Sequence, residues 1–210
     1  LDDTDFFAEA VNPENSNQYV LDTLAGEPLY DEFTIQREVI KIKNEDDTTF
    51  TRRVTKHGPV ISDVYHKQEL IEDRVITMQW TGQEVTNEMD AIDAMGWSQS
   101  FDAFQQAIRR FQVPGQNIIY ADKEGNIAQF TAGNIPIRNP NALMVREGWN
   151  PDQDWQGYVP FEDLPKTINP DQGWVANANN EIVDEDYPHY ITSYWHADYR
   201  YQRIRQYLSR

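Results

Sequence analysis

Three carboxamides fall within four residues, Asn177, Asn179 and Asn180, directly after the apolar run Trp174-Val175-Ala176. The stretch reads as a short strand that breaks at the asparagines. An Asn side chain offers N–H donors and a carbonyl acceptor without a net charge, so a cluster at a strand end suits the binding of a polarised carbonyl. Asn is equally a turn residue, and the spacing alone fits turn chemistry too. The segment continues through Tyr187-Pro188 to Trp195-His196-Ala197-Asp198-Tyr199-Arg200.

Two other sets of residues invite a chemical reading. His57, Ser62 and Asp63 lie close in sequence, but a nucleophilic triad needs an ordered chain of hydrogen bonds, usually drawn from distant segments, and so short an extended stretch does not fold back that way. His66 has no partner signal and is read as a surface residue. Asp2, Asp3 and Asp5 could offer carboxylates to a hard cation. The EF-hand pattern is absent, however, and a solvated acidic turn is the simpler reading.

The elements that must position these residues follow from periodicity. Phe6 to Val11 reads as a strand behind the acidic turn, and Asn12 to Glu32 as a polar connecting loop. Thr34–Lys43 and Thr48–Thr55 form a hairpin across Asn44-Glu45-Asp46-Asp47, followed by a shaped turn at Gly58-Pro59. Asp73 to Trp80 is a strand. Met89, Ile92, Met95 and then Phe101, Phe104, Ile108, Phe111 recur at helical spacing, which predicts two helices with an apolar core stripe, broken at Gly96-Trp97-Ser98, with Ser98 or Ser100 as N-cap. Val113-Pro114-Gly115 stops the second helix. A hairpin then runs Asn117–Asp122, Lys123-Glu124-Gly125, Asn126–Thr131. Trp149, Trp155, Tyr158 and Phe161 hang on irregular backbone as anchors of a wrapped loop, or alternatively as a platform for an aromatic ligand or sugar. A last helix carries Ile204 and Leu208 up to Arg210, where the chain stops mid-element.

Composition bounds what this scaffold does. The 210 residues hold 18 Lys and Arg against 35 Asp and Glu, a net charge of -17, and the pI is near 4.5. That balance repels phosphate backbones and anionic membranes, so nucleic acid is not an expected partner. There is no cysteine, hence no disulfide, thiolate metal site or cysteine nucleophile. No apolar run is long enough to span a bilayer. The composition describes an acidic, aromatic-rich, globular α+β chain, and it leaves open a non-catalytic β-rich binding or structural module or a calcium-stabilised surface domain.

An ordered set of motifs narrows this. Asp2-Asp3-Thr4-Asp5-Phe6-Phe7-Ala8-Glu9 with Asn12-Pro13, Lys56-His57-Gly58-Pro59-Val60-Ile61, Gln79-Trp80-Thr81-Gly82, Tyr120-Ala121-Asp122-Lys123-Glu124-Gly125-Asn126-Ile127, Ala132-Gly133-Asn134-Ile135-Pro136-Ile137-Arg138, Trp155-Gln156-Gly157-Tyr158-Val159-Pro160-Phe161 with Leu164-Pro165, the Asn block and Tyr199-Arg200 span nearly the whole chain. Together they resemble the penicillin acylase (penicillin amidase) family of N-terminal-nucleophile hydrolases.

The resemblance implies an α+β fold, part of a four-layer αββα sandwich with mostly antiparallel strands and a helical pair, in which residues 1–210 form a partial catalytic β-chain domain truncated at both ends. It implies cleavage of an amide between an acyl chain and an amine, with penicillin-type or acyl-homoserine-lactone-type substrates. Asn179 matches the side-chain donor of the oxyanion hole and Arg200 the arginine that orients the catalytic groups. Asn177 is expected to contact substrate, and side chains around Ile118 to line the acyl pocket. The nucleophile, typically Ser, would lie upstream of Leu1, which cannot serve. Asp2, Thr4 through its carbonyl, and Asp5 match positions that hold a structural calcium in some members, although a further carboxylate of that site falls near Ile191 here. No organic cofactor is implied. The expected partners are a small-molecule amide and the rest of the precursor, and the expected location is periplasmic or extracellular.

Overall fold

A computed structural model describes residues 2–24, 26–64, 73–138 and 144–210; Leu1 and His66 lie outside them. The chain is mixed α+β, with mostly antiparallel strands and, among the described residues, three α-helices. It divides into two compact units, one of residues 1–3, 84–137 and 156–210, the other of 4–83 and 138–155.

The second of these units is built on β1 (Thr4–Ala10), which pairs antiparallel with β7 (Arg74–Trp80) and parallel with the short β10 (Arg146–Glu147). Side chains alternate along a strand, and here Asp5, Phe7 and Glu9 all lie on a buried face, at 2 %, 0 % and 0 % exposure. Two carboxylates therefore point into the interior of this unit, and each needs a cation or donors to offset its desolvation.

The stretch from Asn12 to Glu32, expected as a loop, holds a hairpin of β2 (Gln18–Leu24) and β3 (Glu27–Glu32), with an irregularity between Val20 and Asp22. Its polar composition hid it. Tyr19 is buried in a cluster with Phe33, Val60 and Val75, with Leu21 packed against it, and Val20 is buried as well; β3 is mostly exposed and, among the described residues, pairs with β2 alone, an edge position that tolerates Pro28. The hairpin of β4 (Thr34–Ile40) and β5 (Thr48–Thr55) forms as expected, with Asn44 in the left-handed region of its turn at φ 68°. At β6 (Gly58–Pro59) the turn requires glycine, since φ is +121° and a Cβ would stand 2.4 Å from the Met78 carbonyl oxygen.

In the other unit, helices α1 (Glu88–Trp97) and α2 (Phe101–Ile108) pack on a sheet of order β11 (Lys166–Ile168), β9 (Ile127–Ala132), β8 (Gln116–Ala121). Ala91, Ile108 and Phe111 meet Ala128, Phe130 and Ala132, alternate residues of β9, with Phe101 and Phe104 against the same cluster. Ser100 is the N-cap of α2, its Oγ accepting from the Ala103 N–H at 3.1 Å; Ser98 instead closes α1 by donating to the Met95 carbonyl at 2.8 Å. The predicted core stripe of α1 is corrected in part. Ala91 is fully buried and Met95 packs on the cluster, while Met89 and Ile92 are exposed.

A second cluster of Ile135, Val159, Leu164 and Ile191, with Tyr187 and Trp195 against it, anchors the irregular segment that leads to α3 (Tyr199–Leu208). Tyr187 donates to the Asp163 carbonyl at 2.6 Å. Burial and then the Asp163 charge push its hydroxyl up to about 12. Burial likewise raises Tyr19 to about 12, with Asp31 and Glu9 adding to it. For both, the unfolded chain deprotonates first as pH rises, so the stability they contribute is complete below pH ~10 and lost as pH approaches ~12. Denaturation midpoints of the complete protein are expected to fall across that window, with a shallower fall in the Tyr19→Phe, Tyr187→Phe double variant.

Candidate functional site

The Asn block does not form the expected strand. Among the described residues Trp174 to Asn177 pair with no strand, and the segment is held side chain by side chain. Asn177 Oδ1 accepts from the Asn179 N–H at 2.9 Å, and Asn180 Oδ1 accepts from the Ala178 N–H at 3.1 Å while its Nδ2 donates to the Glu181 carbonyl at 2.8 Å. Local carboxamide-to-backbone bonds of this kind compete with a sheet ladder and favour turns. The turn puts Asn179 at φ 59°, a left-handed conformation that Asn tolerates better than most residues.

Every hydrogen-bonding group of Asn179 except one is then committed. Its N–H is taken by Asn177, its carbonyl accepts from the His196 N–H at 2.9 Å, and its Oδ1 accepts from an Arg200 guanidinium nitrogen at 3.1 Å. The same nitrogen donates to the Ala178 carbonyl at 2.5 Å. A guanidinium only donates, so it selects the Oδ1 face of the carboxamide and turns Nδ2 the other way. Asn179 is exposed, and no hydrogen bond among the described residues engages that Nδ2. Arg200 is set by the first turn of α3, where Gln202 N–H bonds the Asp198 carbonyl at 2.8 Å.

Behind this turn lies a cavity of about 230 Å³ lined by Gln129, Thr167, Val175, Ala176, Asn180 and Tyr201, among others. Gln129 and Thr167 face each other across β9 and β11. Ile118, expected near the acyl pocket, stands on the opposite face of the sheet, packed with the helix-side cluster; its neighbour Ile119 is 50 % exposed.

The aspartates expected at a calcium site are engaged otherwise. Asp5 is buried, 2.6 Å from Arg138 Nε and 3.4 Å from Arg146 Nε, and accepts from Trp155 Nε1 at 2.5 Å. Asp2 accepts from the Tyr190 hydroxyl at 3.1 Å, Thr4 is paired in β1, and Ile191 is buried apolar core. A carboxylate neutralised by two guanidiniums is a poor ligand for a hard cation. No group of three or more His, Asp or Glu that could hold a metal occurs among them.

Sequence reasoning missed one buried polar network altogether. His57 Nδ1 lies 2.8 Å from Glu9 Oε1 and His57 Nε2 lies 2.9 Å from Asp154 Oδ1, with the ring stacked at 3.7 Å on Phe7. The hydroxyls of Thr55 and Thr77 each donate to Glu9 Oε1 at 3.0 Å. Ser62 and Asp63 are elsewhere engaged, Ser62 Oγ by the Ile76 N–H at 3.0 Å and Asp63 by a two-pronged Arg53 contact at 2.9 and 2.7 Å. The only signal for the network was a glutamate in an otherwise apolar strand run. The aromatic anchors are occupied as well. Trp155 is bonded to Asp5, and Arg74 and Arg109 lie over Trp149 and Phe161 at 5.0 and 4.9 Å.

Comparison with known proteins places the chain in a family. The penicillin G acylase of Escherichia coli is 33 % identical over 199 residues, which cover 89 % of this chain and 21 % of that protein. The acyl-homoserine lactone acylase QuiP of Pseudomonas fluorescens (strain Pf-5) is 24 % identical over 204 residues, 97 % of this chain and 24 % of that protein. The chain thus spans about a fifth to a quarter of the length of these curated relatives. A solved thermostable penicillin G acylase from Alcaligenes faecalis superposes with a TM-score of 0.73 over 92 % of this chain and 34 % of that one, at 22 % identity, which supports the shared fold. The family model described as Penicillin amidase matches residues 1–210, and the chain belongs to the penicillin amidase family.

Proposed function

We propose that the chain is part of the catalytic β chain of an N-terminal-nucleophile amidohydrolase that cleaves the amide between an acyl group and an amine. Asn179 Nδ2 donates to the oxyanion of the tetrahedral intermediate, and Arg200 fixes the carboxamide that does so. The observation that carries this reading is the Arg200 contact to Asn179 Oδ1, which leaves an outward, neutral donor on a left-handed turn. A donor held in place before reaction stabilises developing charge without reorganising at the moment of attack.

The nucleophile comes from outside this chain, a serine upstream whose own α-amine, titrating near pH ~8, accepts the hydroxyl proton. With the rest of its precursor the chain completes a four-layer αββα sandwich, exported to the periplasm or beyond. Because Ile118 faces the helices, the acyl-lining role passes to the other face of β8, which carries Ile119. The substrate is a penicillin-type amide or an N-acyl-homoserine lactone, a reading supported by similarity to a penicillin G acylase and an acyl-homoserine lactone acylase.

The test is purification of the complete protein, N-terminal sequencing of its mature chains, and assay on arylacetyl amides and N-acyl-homoserine lactones. A chain that starts at serine and releases amine from one of these classes is expected. A protein with no serine terminus and no release from either class would overturn the reading.

A further inference from the structure

Asn177 is half-buried and bonds the backbone of Asn179 through its side chain. Its Oδ1 accepts the Asn179 N–H at 2.9 Å, and its Nδ2 is buried and meets no hydrogen-bond partner among the described residues. The carboxamide cannot be turned over, because the Asn179 N–H needs an acceptor and Nδ2 only donates. Leaving a buried donor unsatisfied is unfavourable. The arrangement persists because the Oδ1 contact is the one that holds the turn.

We propose that Asn177 is a positioning residue for the hydrolysis. By accepting the Asn179 N–H it holds Asn179 at its left-handed φ, where the side chain reaches Arg200 and Nδ2 faces outward, and it does not itself touch substrate. Three contacts converge on that one residue. Asn177 takes the N–H, His196 N–H takes the carbonyl, and Arg200 takes Oδ1. Arg200 also bonds the Ala178 carbonyl, so the turn and the guanidinium lock each other. Without the Asn177 acceptor, the left-handed residue loses the bond that offsets its backbone cost, and the extended region becomes the preferred one.

The role differs from a substrate contact in what it predicts. A substrate contact acts in the ground state as well and appears in KM, whereas an acceptor that aims an oxyanion donor appears in kcat. It also differs from a generic structural role, because any short side chain with an acceptor oxygen at the same position can take the Asn179 N–H. Asp does so in the same two-residue turn, and Ser does so less strongly. Neither brings the orphaned Nδ2.

This inference rests on the amidohydrolase reading, and the experiment separates the two. In the complete protein, Asn177→Ala, Asn177→Leu, Asn177→Asp, Asn177→Ser and Asn179→Ala are compared by kcat and KM, and the crystal structure of Asn177→Ala is solved. Displacing a positioned donor by about 1 Å typically lowers rate on the order of 10²-fold. Asn177→Ala and Asn177→Leu are therefore expected to lose roughly 10- to 100-fold in kcat with little change in KM, while Asn177→Asp and Asn177→Ser recover most of it. The Asn177→Ala crystal structure is expected to show Asn179 outside the left-handed region with its contact to Arg200 lost. A raised KM at unchanged kcat would make Asn177 a substrate contact and overturn the inference. So would an alanine variant that keeps both kcat and the Asn179 conformation, or Asp and Ser variants as impaired as alanine. Full activity in Asn179→Ala would instead sink the amidohydrolase role of Asn179 and this inference with it.

Discussion

Replacing Asn179 with alanine in the complete protein is expected to lower kcat by roughly 10²–10³-fold, about 2.7–4 kcal/mol of transition-state stabilisation, with KM nearly unchanged. The size follows from what is removed. Asn179 N–H, carbonyl and Oδ1 are all used within the chain, so the substitution deletes the outward Nδ2 and the Oδ1 link to Arg200, and it puts alanine at a left-handed φ that asparagine tolerates better. An oxyanion donor is needed most when the carbonyl becomes tetrahedral, so the loss falls on the chemical step rather than on ground-state binding. Asn179→Asp should be no better than alanine, since it offers acceptors where a donor is required and adds a charge beside the developing oxyanion. Arg200→Lys should lie between, because an ammonium keeps the charge but not the planar set of donors that reaches both the Ala178 carbonyl and Asn179 Oδ1. Steady-state kinetics on one amide substrate decide the matter. Turnover that survives Asn179→Ala would exclude this residue from the oxyanion site.

Glu9→Ala or His57→Ala is expected to destabilise the protein by about 3–5 kcal/mol, read from urea denaturation of the complete protein. Glu9 is 0 % and His57 3 % exposed, so deleting either partner leaves a polar or charged group buried without its counterpart. A carboxylate only accepts, and the two ring nitrogens face one carboxylate each. Removing both ends of the Glu9–His57 pair together should cost less than the sum of the single losses, because a matched apolar pair avoids the stranded charge. Glu9→Leu combined with His57→Leu is the form of that double variant, and strict additivity would show that the two side chains are not coupled. Gly148 adds an independent check. Its Cβ would stand 2.0 Å from Glu9 Oε2, and its N–H is bonded to the Ala8 carbonyl at 2.9 Å, so the backbone cannot easily retreat. Gly148→Ala should therefore destabilise through Glu9.

Much of the local structure was legible because it rests on short-range rules. The β8–β9 hairpin, the β4–β5 hairpin and the two helices follow from alternation, turn residues and helical spacing. Where the reading failed, a longer-range partner decided. Tyr19 and Leu21 make a strand of a polar-looking loop because Phe33, Val60 and Val75 pack against them. Trp174 to Asn177 look like a strand but find no strand partner among the described residues, and the asparagines spend their side chains on backbone instead. On α1 the stripe of Met89 and Ile92 has the right spacing, yet Ala91 takes the buried face.

The candidate site divides the same way. Residue type and spacing marked the asparagine cluster as a turn or a carbonyl-binding site, and the family resemblance singled out Asn179 within it, together with Arg200, as an expectation. Which atom of Asn179 is left over among the described residues, and that Asn177 Oδ1 accepts the Asn179 N–H, were decided by the tertiary structure. Asp5 shows the same limit. An aspartate in an acidic stretch reads as solvated or metal-binding, and only the fold brings Arg138 and Arg146, more than 130 residues away, onto its carboxylate. Local propensity fixes what a residue can offer. The partner that uses the offer is set by contacts distant in sequence, whose geometry no short window of residues contains.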